Sequence, residues 1–208
     1  MKKFIIAFLL LPTFLLAQES DLTYAESIAQ HREEYMADFL KDERAPLKED
    51  DLQHLRFFDA AEKYRVRCTF ELTPDEKPFE LPTYSGITKP YRKYGVLTFQ
   101  LDGQEHSLAV YQSLKHIRHP VYKNYLFLPY RDLTNDESTY GGGRYIDVLI
   151  SEVEAETVFL DFNKSYHPWC HYSDGYNCPI PPTENHLEVA ILAGEKMYVG
   201  EKKHREKK

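Results

Sequence analysis

The spacing of apolar residues changes once along this chain, near Tyr64, and no other feature constrains the fold as strongly. Before Tyr64, apolar side chains recur at steps of three and four residues, which predicts an amphipathic helix over 21–43 and a second, short helix over 49–58. After Tyr64 the period is two, because Val66 and Phe70 alternate with polar and charged neighbours. A period of two is typical of a half-buried β-strand.

Short apolar segments separated by turn residues continue to the end of the chain. Asp102-Gly103 suits the positive φ angles of a tight hairpin turn, and Ala193-Gly194 marks another turn. Strands are predicted at 64–72, 94–101, 104–112, 125–130, 144–150, 157–162, 187–192 and 196–199. This pattern predicts an α+β fold that is mainly antiparallel β, a sandwich or a partly open barrel, with one or two N-terminal helices packed on it.

Residues 1–17 have the features of a signal peptide. Lys2 and Lys3 precede an apolar segment over 4–16, and Ala17 ends a cleavage site of small-residue type. The segment is shorter than the roughly 20 residues that a membrane-spanning helix needs, although an uncleaved anchor is the alternative. We therefore expect a bacterial protein that is exported to the periplasm or the extracellular space, with no membrane insertion after cleavage.

The remainder of the chain is expected to form one globular domain over 18–200. Its helical part covers 21–58 and its β-rich part 64–200, and a charged tail follows at 201–208. The formal net charge of the whole chain is −7, and removal of Lys2 and Lys3 makes it more negative. An acidic surface argues against general nucleic-acid binding.

A glycine-rich segment, 139–147, is the first candidate binding feature. Its three glycines, 141–143, allow the backbone to approach a ligand closely, and consecutive backbone N–H groups can bind an anion. Arg144 could hold a carboxylate or phosphate with two parallel hydrogen bonds. The alternative is a glycine-rich β-turn in which Arg144 is paired with Asp147 or Asp161.

Two carboxylates are candidates for acid–base chemistry. Asp161 ends a predicted strand, and Glu184 follows an extended connection made rigid by Pro181 and Pro182. A carboxylate such as Asp161 more often accepts hydrogen bonds within a loop. The prolines could equally form a stiff crossover between sheets.

Histidines and cysteines are concentrated in one short segment. His167, Cys170, His171 and Cys178 could bind zinc, but their spacing is not that of a standard zinc finger or ribbon. A disulfide between Cys170 and Cys178 fits an exported protein better, and a nucleophilic Cys170 activated by a histidine is a third possibility. We expect the disulfide, with neither a metal nor a cofactor, and we expect Cys68 to be a small buried hydrophobe.

Several of these segments occur together in a known family. They are Tyr-Arg-Val at 64–66, Tyr-Gly-Val-Leu-Thr-Phe at 94–99, Tyr-Leu-Phe-Leu-Pro at 125–129, Asp-Leu-Thr at 132–134, Thr-Tyr-Gly-Gly-Gly-Arg-Tyr at 139–145, Asp-Phe-Asn at 161–163, Cys170, Cys-Pro at 178–179, Pro-Pro at 181–182, Glu-Asn at 184–185 and Ala-Gly-Glu at 193–195. With this combination, the chain resembles the bacterial and archaeal family catalogued as domain of unknown function 1684. The resemblance implies one domain with a focused C-terminal site, and it implies no substrate.

The functional expectation is binding of a small polar or anionic ligand in a pocket built from 132–185. A hydrolase-like enzyme that uses Asp161 and Glu184 is one alternative, although no complete set of nucleophile, base and orienting group is present. A noncatalytic structural or interaction domain, in which the same residues brace loops, is the other. The expected ligand-binding residues are Tyr140, Gly141, Gly142, Gly143, Arg144, Asp161, Asn163, Tyr166, Glu184 and Asn185, with Trp169 as a further lining residue.

Overall fold

A computed structural model describes residues 22–204 of the chain. The predicted signal peptide at 1–17 and the end of the charged tail lie outside the described residues. No helix within the described range combines the length and the apolar character needed to cross a bilayer.

The first helix, α1 (Tyr24–Lys41), confirms the expectation drawn from the spacing of three and four residues. Thr23 caps its N-terminus, because the Thr23 hydroxyl accepts the Glu26 N–H while the Glu26 carboxylate accepts the Thr23 N–H. Its inner face buries Ile28 and Phe39. The second helix, α2 (Glu49–Leu52), is shorter than predicted, because the chain becomes extended soon afterwards as strand β1 (Arg56–Phe57). A third short helix, α3, covers Ile150–Val153.

The remaining strands are antiparallel throughout. Seven of them form the main sheet: β2 (Arg65–Leu72), β3 (Phe79–Pro82), β4 (Thr88–Leu101), β5 (Gln104–Ser113), β6 (Tyr125–Tyr130), β7 (Arg144–Leu149) and β8 (Val158–Asp161). Their order is β7-β6-β5-β4-β2-β8, and β3 also pairs with β4. The sheet curls into a half-barrel, so the fold is α+β and mostly antiparallel β. A separate two-stranded sheet joins β1 to β9 (Glu195–Lys196).

The hairpin between β4 and β5 forms as the turn residues predicted. Asp102 has a φ of 49° and Gly103 a φ of 79°, which are the positive values that a tight hairpin turn requires. Strand β4 begins at Thr88, earlier than predicted, since its first half pairs with β3. Strand β3 was not predicted from the sequence.

The central strands are buried on both faces. Leu108 and Val110 of β5 belong to the main hydrophobic cluster inside the curled sheet. The alternate residues Ala109 and Tyr111 belong to a smaller cluster on the opposite face, against which Phe127 of β6 packs. Because successive side chains of a strand point to opposite faces, this opposite face is the side of the sheet on which Phe127 and its cross-strand neighbours lie.

The strands predicted at 187–192 and 196–199 are not formed as predicted. Only the two residues of β9 are a strand in this region. The apolar alternation is real, because Leu187 and Ile191 are buried in the main cluster. Their backbone partners, however, belong to a loop: the Leu187 N–H donates to the Arg131 carbonyl, and the Ile191 N–H donates to the Asp132 carboxylate at 3.3 Å. A segment that pairs with a loop and its side chains does not form a ladder.

Candidate functional site

The two faces of β7 carry different chemistry. Ile146 and Val148 lie in the main hydrophobic cluster, so Arg144, two residues before Ile146, points towards the same interior. Tyr145 and Asp147 point to the opposite face, where Phe127 is the direct cross-strand partner of Asp147. Asp147 retains access to solvent, whereas Arg144 has none.

Arg144 is a structural residue in this fold and lines no open pocket. Its Nη2 atom donates to the Asp132 carboxylate at 2.7 Å and to the Ile191 carbonyl at 2.9 Å, and its Nη1 atom donates to the Ala193 carbonyl. Both side chains of the Arg144–Asp132 ion pair are fully buried. The prediction of an anion clamp is therefore corrected, and so is the alternative pairing with Asp147 or Asp161, since the partner is Asp132. The guanidinium binds segment 191–193 to the loop that contains Asp132.

The three glycines form a tightly packed turn. Gly143 has a φ of 88°, and a Cβ there would lie 2.5 Å from the Tyr130 carbonyl oxygen, so only glycine fits. A Cβ at Gly141 would overlap the Asp136 carboxylate, and the Gly142 carbonyl accepts the Tyr84 hydroxyl at 2.9 Å. The turn thus packs against protein groups, and the prediction that its glycines approach a ligand is corrected.

Asp161 and Asn163 fasten helix α1 to the end of β8. The Asp161 carboxylate accepts the Tyr24 hydroxyl at 3.0 Å and the Asn163 N–H at 3.0 Å. The Asn163 side chain bonds both the N–H and the carbonyl of Ala61. Burial, followed by the charge of Asp161, raises the pKa of the Tyr24 hydroxyl. This network explains both residues as loop-bracing groups.

Glu184 and Asn185 contact a different part of the sheet. The Glu184 carboxylate accepts Lys93 Nζ at 2.6 Å and the Tyr111 hydroxyl at 2.7 Å. The buried Asn185 side chain bonds the N–H and carbonyl of Ala109 and the carbonyl of Pro129, and so it bridges β5 and β6 where the two strands separate. Glu184 shares no hydrogen-bond partner with Asp161. The two candidate catalytic carboxylates lie in separate networks.

A buried network around Glu195 was not anticipated from the sequence. Glu195 has no solvent exposure, and its carboxylate accepts the Tyr35 hydroxyl at 3.1 Å, the Tyr172 hydroxyl at 2.5 Å and the His167 N–H at 2.9 Å. The ring of His167 accepts the Tyr140 N–H through Nε2 at 3.2 Å, and its Nδ1 lies 3.5 Å from Glu195. His167 thus links the segment that contains Tyr140 to the segment that contains Glu195.

The cysteine–histidine segment forms a disulfide. Cys170 and Cys178 are bonded, with their Cα atoms 6.2 Å apart, which confirms the expected pairing. His171 accepts the Tyr198 N–H at 3.0 Å, and burial lowers the pKa of its imidazole to about 3. Within residues 22–204, no group of three or more His, Cys, Asp or Glu side chains is arranged to hold a metal ion. Cys68 is buried as expected, and burial raises the pKa of its thiol to about 11.

The concave feature of this face is a cleft above β4, β6 and β7, which we call the aromatic cleft. Its volume is about 550 Å³. Of the residues predicted to bind or line a ligand pocket, Tyr166 and Trp169 line this cleft and the others do not. Its complete lining is Tyr35, Lys89, Tyr91, Phe127, Tyr145, Asp147, Tyr166, Pro168, Trp169, Gly175, Tyr176, Asn177, Cys178 and Pro179.

Asp147 lies where the aromatic cleft meets two neighbouring recesses, of about 760 and 230 Å³. Its carboxylate accepts the Tyr166 hydroxyl at 3.0 Å. Although the residue keeps solvent access at this junction, the surrounding protein removes enough water to raise the pKa of its carboxyl. From the sequence, Asp147 was expected only as an alternative partner of Arg144. The alternation along β7 was the signal that could have placed it with Tyr145 on the outer face.

The comparisons with known proteins support the same fold. The sequence profile of the family described as "Protein of unknown function (DUF1684)" matches residues 50–196. The chain belongs to the DUF1684 family. The solution NMR structure of an uncharacterised protein from gene locus rrnAC0354 of Haloarcula marismortui is similar to this DUF1684 chain at 30% identity and a TM-score of 0.64, covering 82% of this chain and 92% of that one. No curated protein matches the chain at a significant level.

Proposed function

We propose that this DUF1684 protein binds a small polar ligand in the aromatic cleft. The observation that carries the proposal is the lining: half of the residues around the cavity are aromatic, and a carboxylate, Asp147, stands among them. Small-molecule sites are typically concave, mostly apolar and provided with a few polar groups that orient the ligand. A volume of about 550 Å³ lies within the usual size of such sites.

The rings of the cleft are held in fixed positions before any ligand enters. The Tyr166 hydroxyl is bound to Asp147, and the Tyr145 hydroxyl donates to the Pro179 carbonyl. Trp169 and Tyr176 meet edge to face with ring centroids 5.2 Å apart. A site whose side chains are already ordered loses less entropy on binding, which supports a binding role for this surface.

One wall of the cleft comes from the disulfide loop 170–178 and the residues that follow it. Gly175, Asn177 and Pro179 line this wall. A disulfide is stable in oxidising compartments, so it also supports our proposal that the protein is exported and that its signal peptide is cleaved after Ala17. N-terminal sequencing of the protein recovered from its native host, together with a count of free thiols, tests this part; an intact N-terminus and three free thiols would contradict it.

The expectation of an anionic ligand depended on Arg144 and the glycine turn. Acceptors of the protein already bind the Arg144 guanidinium, and protein atoms pack against the glycine turn. We therefore propose a polar ligand that is oriented by the groups facing the cleft. The bracing networks of Asp161 and Asn185 favour the second candidate, a noncatalytic structural domain. Under that candidate the aromatic cleft would have no ligand.

The position of the single tryptophan provides a direct test. The chain has one Trp, Trp169, which lies in the wall of the cleft and also lines the adjoining recess, so fluorescence excited selectively at tryptophan reports on this region of the surface. Titration with a panel of small amines, sugars, amino acids and carboxylic acids should change the emission of Trp169 in a saturable way for at least one class. Phe127→Ala should weaken that response, whereas Phe159→Ala, an exposed aromatic on β8, should leave it unchanged. A panel without any saturable response contradicts the proposal.

A further inference from the structure

We infer that the ligand of the aromatic cleft carries an organic cation, such as a primary or quaternary ammonium group, and that Asp147 is its counter-ion. The inference rests on the proposed function and adds the chemical class of the ligand. It depends on three features of the cleft: an unpaired carboxylate, the rings beside it and the charges around its entrance.

Asp147 lacks a basic partner in the described part of the chain. No Lys, Arg or His forms an ion pair with it, and the Tyr166 hydroxyl is its hydrogen-bond donor. A carboxylate that the surrounding protein partly desolvates, and that has no counter-charge, is destabilised in its ionised form. A cation that enters the cleft removes this penalty, whereas an anion increases it.

A series of aromatic rings lines the same cleft as this carboxylate. Phe127 lies directly opposite Asp147 on the neighbouring strand. The ring centroid of Tyr145 is 4.7 Å from that of Phe127, and Tyr91 is 5.8 Å from Phe127 on its other side. Tyr166 continues the series 5.9 Å from Tyr145. The faces of such rings carry negative electrostatic potential and attract ammonium groups within about 6 Å of the ring centre.

The neighbouring charges also favour a cation. In the adjoining recess, Asp38 and Asp42 are neutralised by Lys41 and Arg44, but Glu43 has no ion pair among the described residues. The formal net charge of the whole chain is −7, which attracts cations at low ionic strength.

Lys89 is the basic residue of the cleft lining, and its charge acts in the opposite direction to that of Asp147. It forms no ion pair with Asp147, and burial lowers the pKa of its ammonium. Its charge would repel a bound cation, so its removal should strengthen cation binding while removal of the Asp147 charge weakens it. The two substitutions are therefore expected to have effects of opposite sign.

The decisive experiment compares two probes of nearly the same shape. Choline has a quaternary ammonium group, and 3,3-dimethylbutan-1-ol replaces its nitrogen with carbon and has no charge. Binding of each to the mature protein should be followed through Trp169 fluorescence and calorimetry at low salt. We expect choline to bind at least ~10-fold more tightly than the neutral alcohol, since one ion pair with ring contacts gives a difference of this order.

Variants then assign the effect to Asp147. Asp147→Asn keeps the shape of the side chain and should reduce choline affinity by about tenfold without changing binding of the neutral alcohol. Lys89→Gln should increase choline affinity. Glu156→Gln, which removes a carboxylate in a recess lined by β2 and β4, is the matched control and should bind as the unmodified protein does.

The possible failures are distinguishable. Equal affinity for choline and the neutral alcohol, or choline binding that Asp147→Asn leaves unchanged, overturns the cation assignment while the proposed binding function stands. Saturable binding of inorganic phosphate that is lost in Lys89→Gln also overturns it, in favour of an anion. If neither these probes nor the wider panel affects Trp169, the proposed function itself fails. The comparison of the two probes on the unmodified protein does not depend on any variant folding.

Discussion

Arg144 and Asp147 are three residues apart on one strand, but their charged groups differ in burial and in the number of hydrogen-bond partners. The Arg144 guanidinium is enclosed, and a carboxylate and two backbone carbonyls accept its hydrogen bonds. The Asp147 carboxylate faces a cleft and has one hydroxyl as its partner. A buried polar group whose partners all come from the protein is explained by the fold. A desolvated group with few partners remains to be explained by function.

The largest effect on stability is expected when each of these two side chains is truncated. Arg144→Ala leaves Asp132 buried without its partner and removes donors from two carbonyls. We therefore expect the free energy of unfolding to fall by about 3–5 kcal/mol. Asp147→Ala should change stability by no more than about 0.5 kcal/mol, as at most surface positions. Urea unfolding of both variants measures the difference. Arg131→Ala is the control for arginine truncation, since its side chain is partly exposed; a loss for Arg144→Ala no greater than this control would remove the contrast.

A second test examines whether Asn185 is structural in the same way as Arg144. Asn185→Ala removes three hydrogen bonds from buried backbone groups of β5 and β6, and we expect a loss of about 2–4 kcal/mol in the free energy of unfolding. Asn177→Ala, an exposed position in the wall of the cleft, should cost much less. Hydrogen exchange should also accelerate at Ala109, whose N–H loses its acceptor. Unchanged exchange at Ala109 would contradict the bridging role.

A third test concerns the disulfide loop 170–178, which forms one wall of the aromatic cleft. The double substitution Cys170→Ser and Cys178→Ser opens a short loop, and we expect a loss of about 2–3 kcal/mol. Ligand binding should weaken as well, because residues of this loop line the cleft. Reductant should reproduce both effects in the unmodified protein and have no effect on the double variant. If reductant destabilises the double variant too, the effect arises elsewhere.

The smallest expected effect is the pH dependence of Asp147. Its pKa is raised in the folded state by burial, so between its ordinary value and the raised value the folded protein binds more protons than the unfolded chain. Stability contributed by this group is therefore present at the lower pH and falls as pH rises through that window. Asp147→Asn should lose this dependence, so its stability relative to the unmodified protein should increase with pH across the window. Parallel stability curves would contradict a desolvated Asp147.

Much of the fold followed from the sequence because its signals are local. The spacing along α1 and the alternation along β2 report which residues are buried, and Asp102-Gly103 fixes a turn within two residues. Strand β3 was missed because Pro78 precedes it and Pro82 is the last of its four residues, and proline normally argues against a strand. The alternation at 187–192 was read correctly as burial, but its partners are a loop and a carboxylate, which no local pattern specifies.

The site was predicted less well because its members come from distant segments. Tyr166 and Trp169 were expected, whereas Tyr35, Tyr91 and Phe127 reach the cleft from α1, β4 and β6. Asp147 could have been placed, since Ile146 and Val148 identify the inner face of β7 and leave Tyr145 and Asp147 outside. Arg144 lies on that same inner face, and its partner Asp132 is separated from it by the glycine turn. The polar residues of 132–185 indicated a binding site, but most of them form hydrogen bonds that hold the neighbouring loops and strands in place.

The attachments of α1 determine when the protein can finish folding. Tyr24 is fastened to Asp161, 137 residues later, and Tyr35 to Glu195, 160 residues later. Since a chain is synthesised from its N-terminus, helix α1 emerges well before the residues that anchor it and must wait for almost the last of them before it can dock. Any nascent chain that stops before Glu195 leaves this helix without its final anchor, which keeps a partly made molecule open to proteases and chaperones.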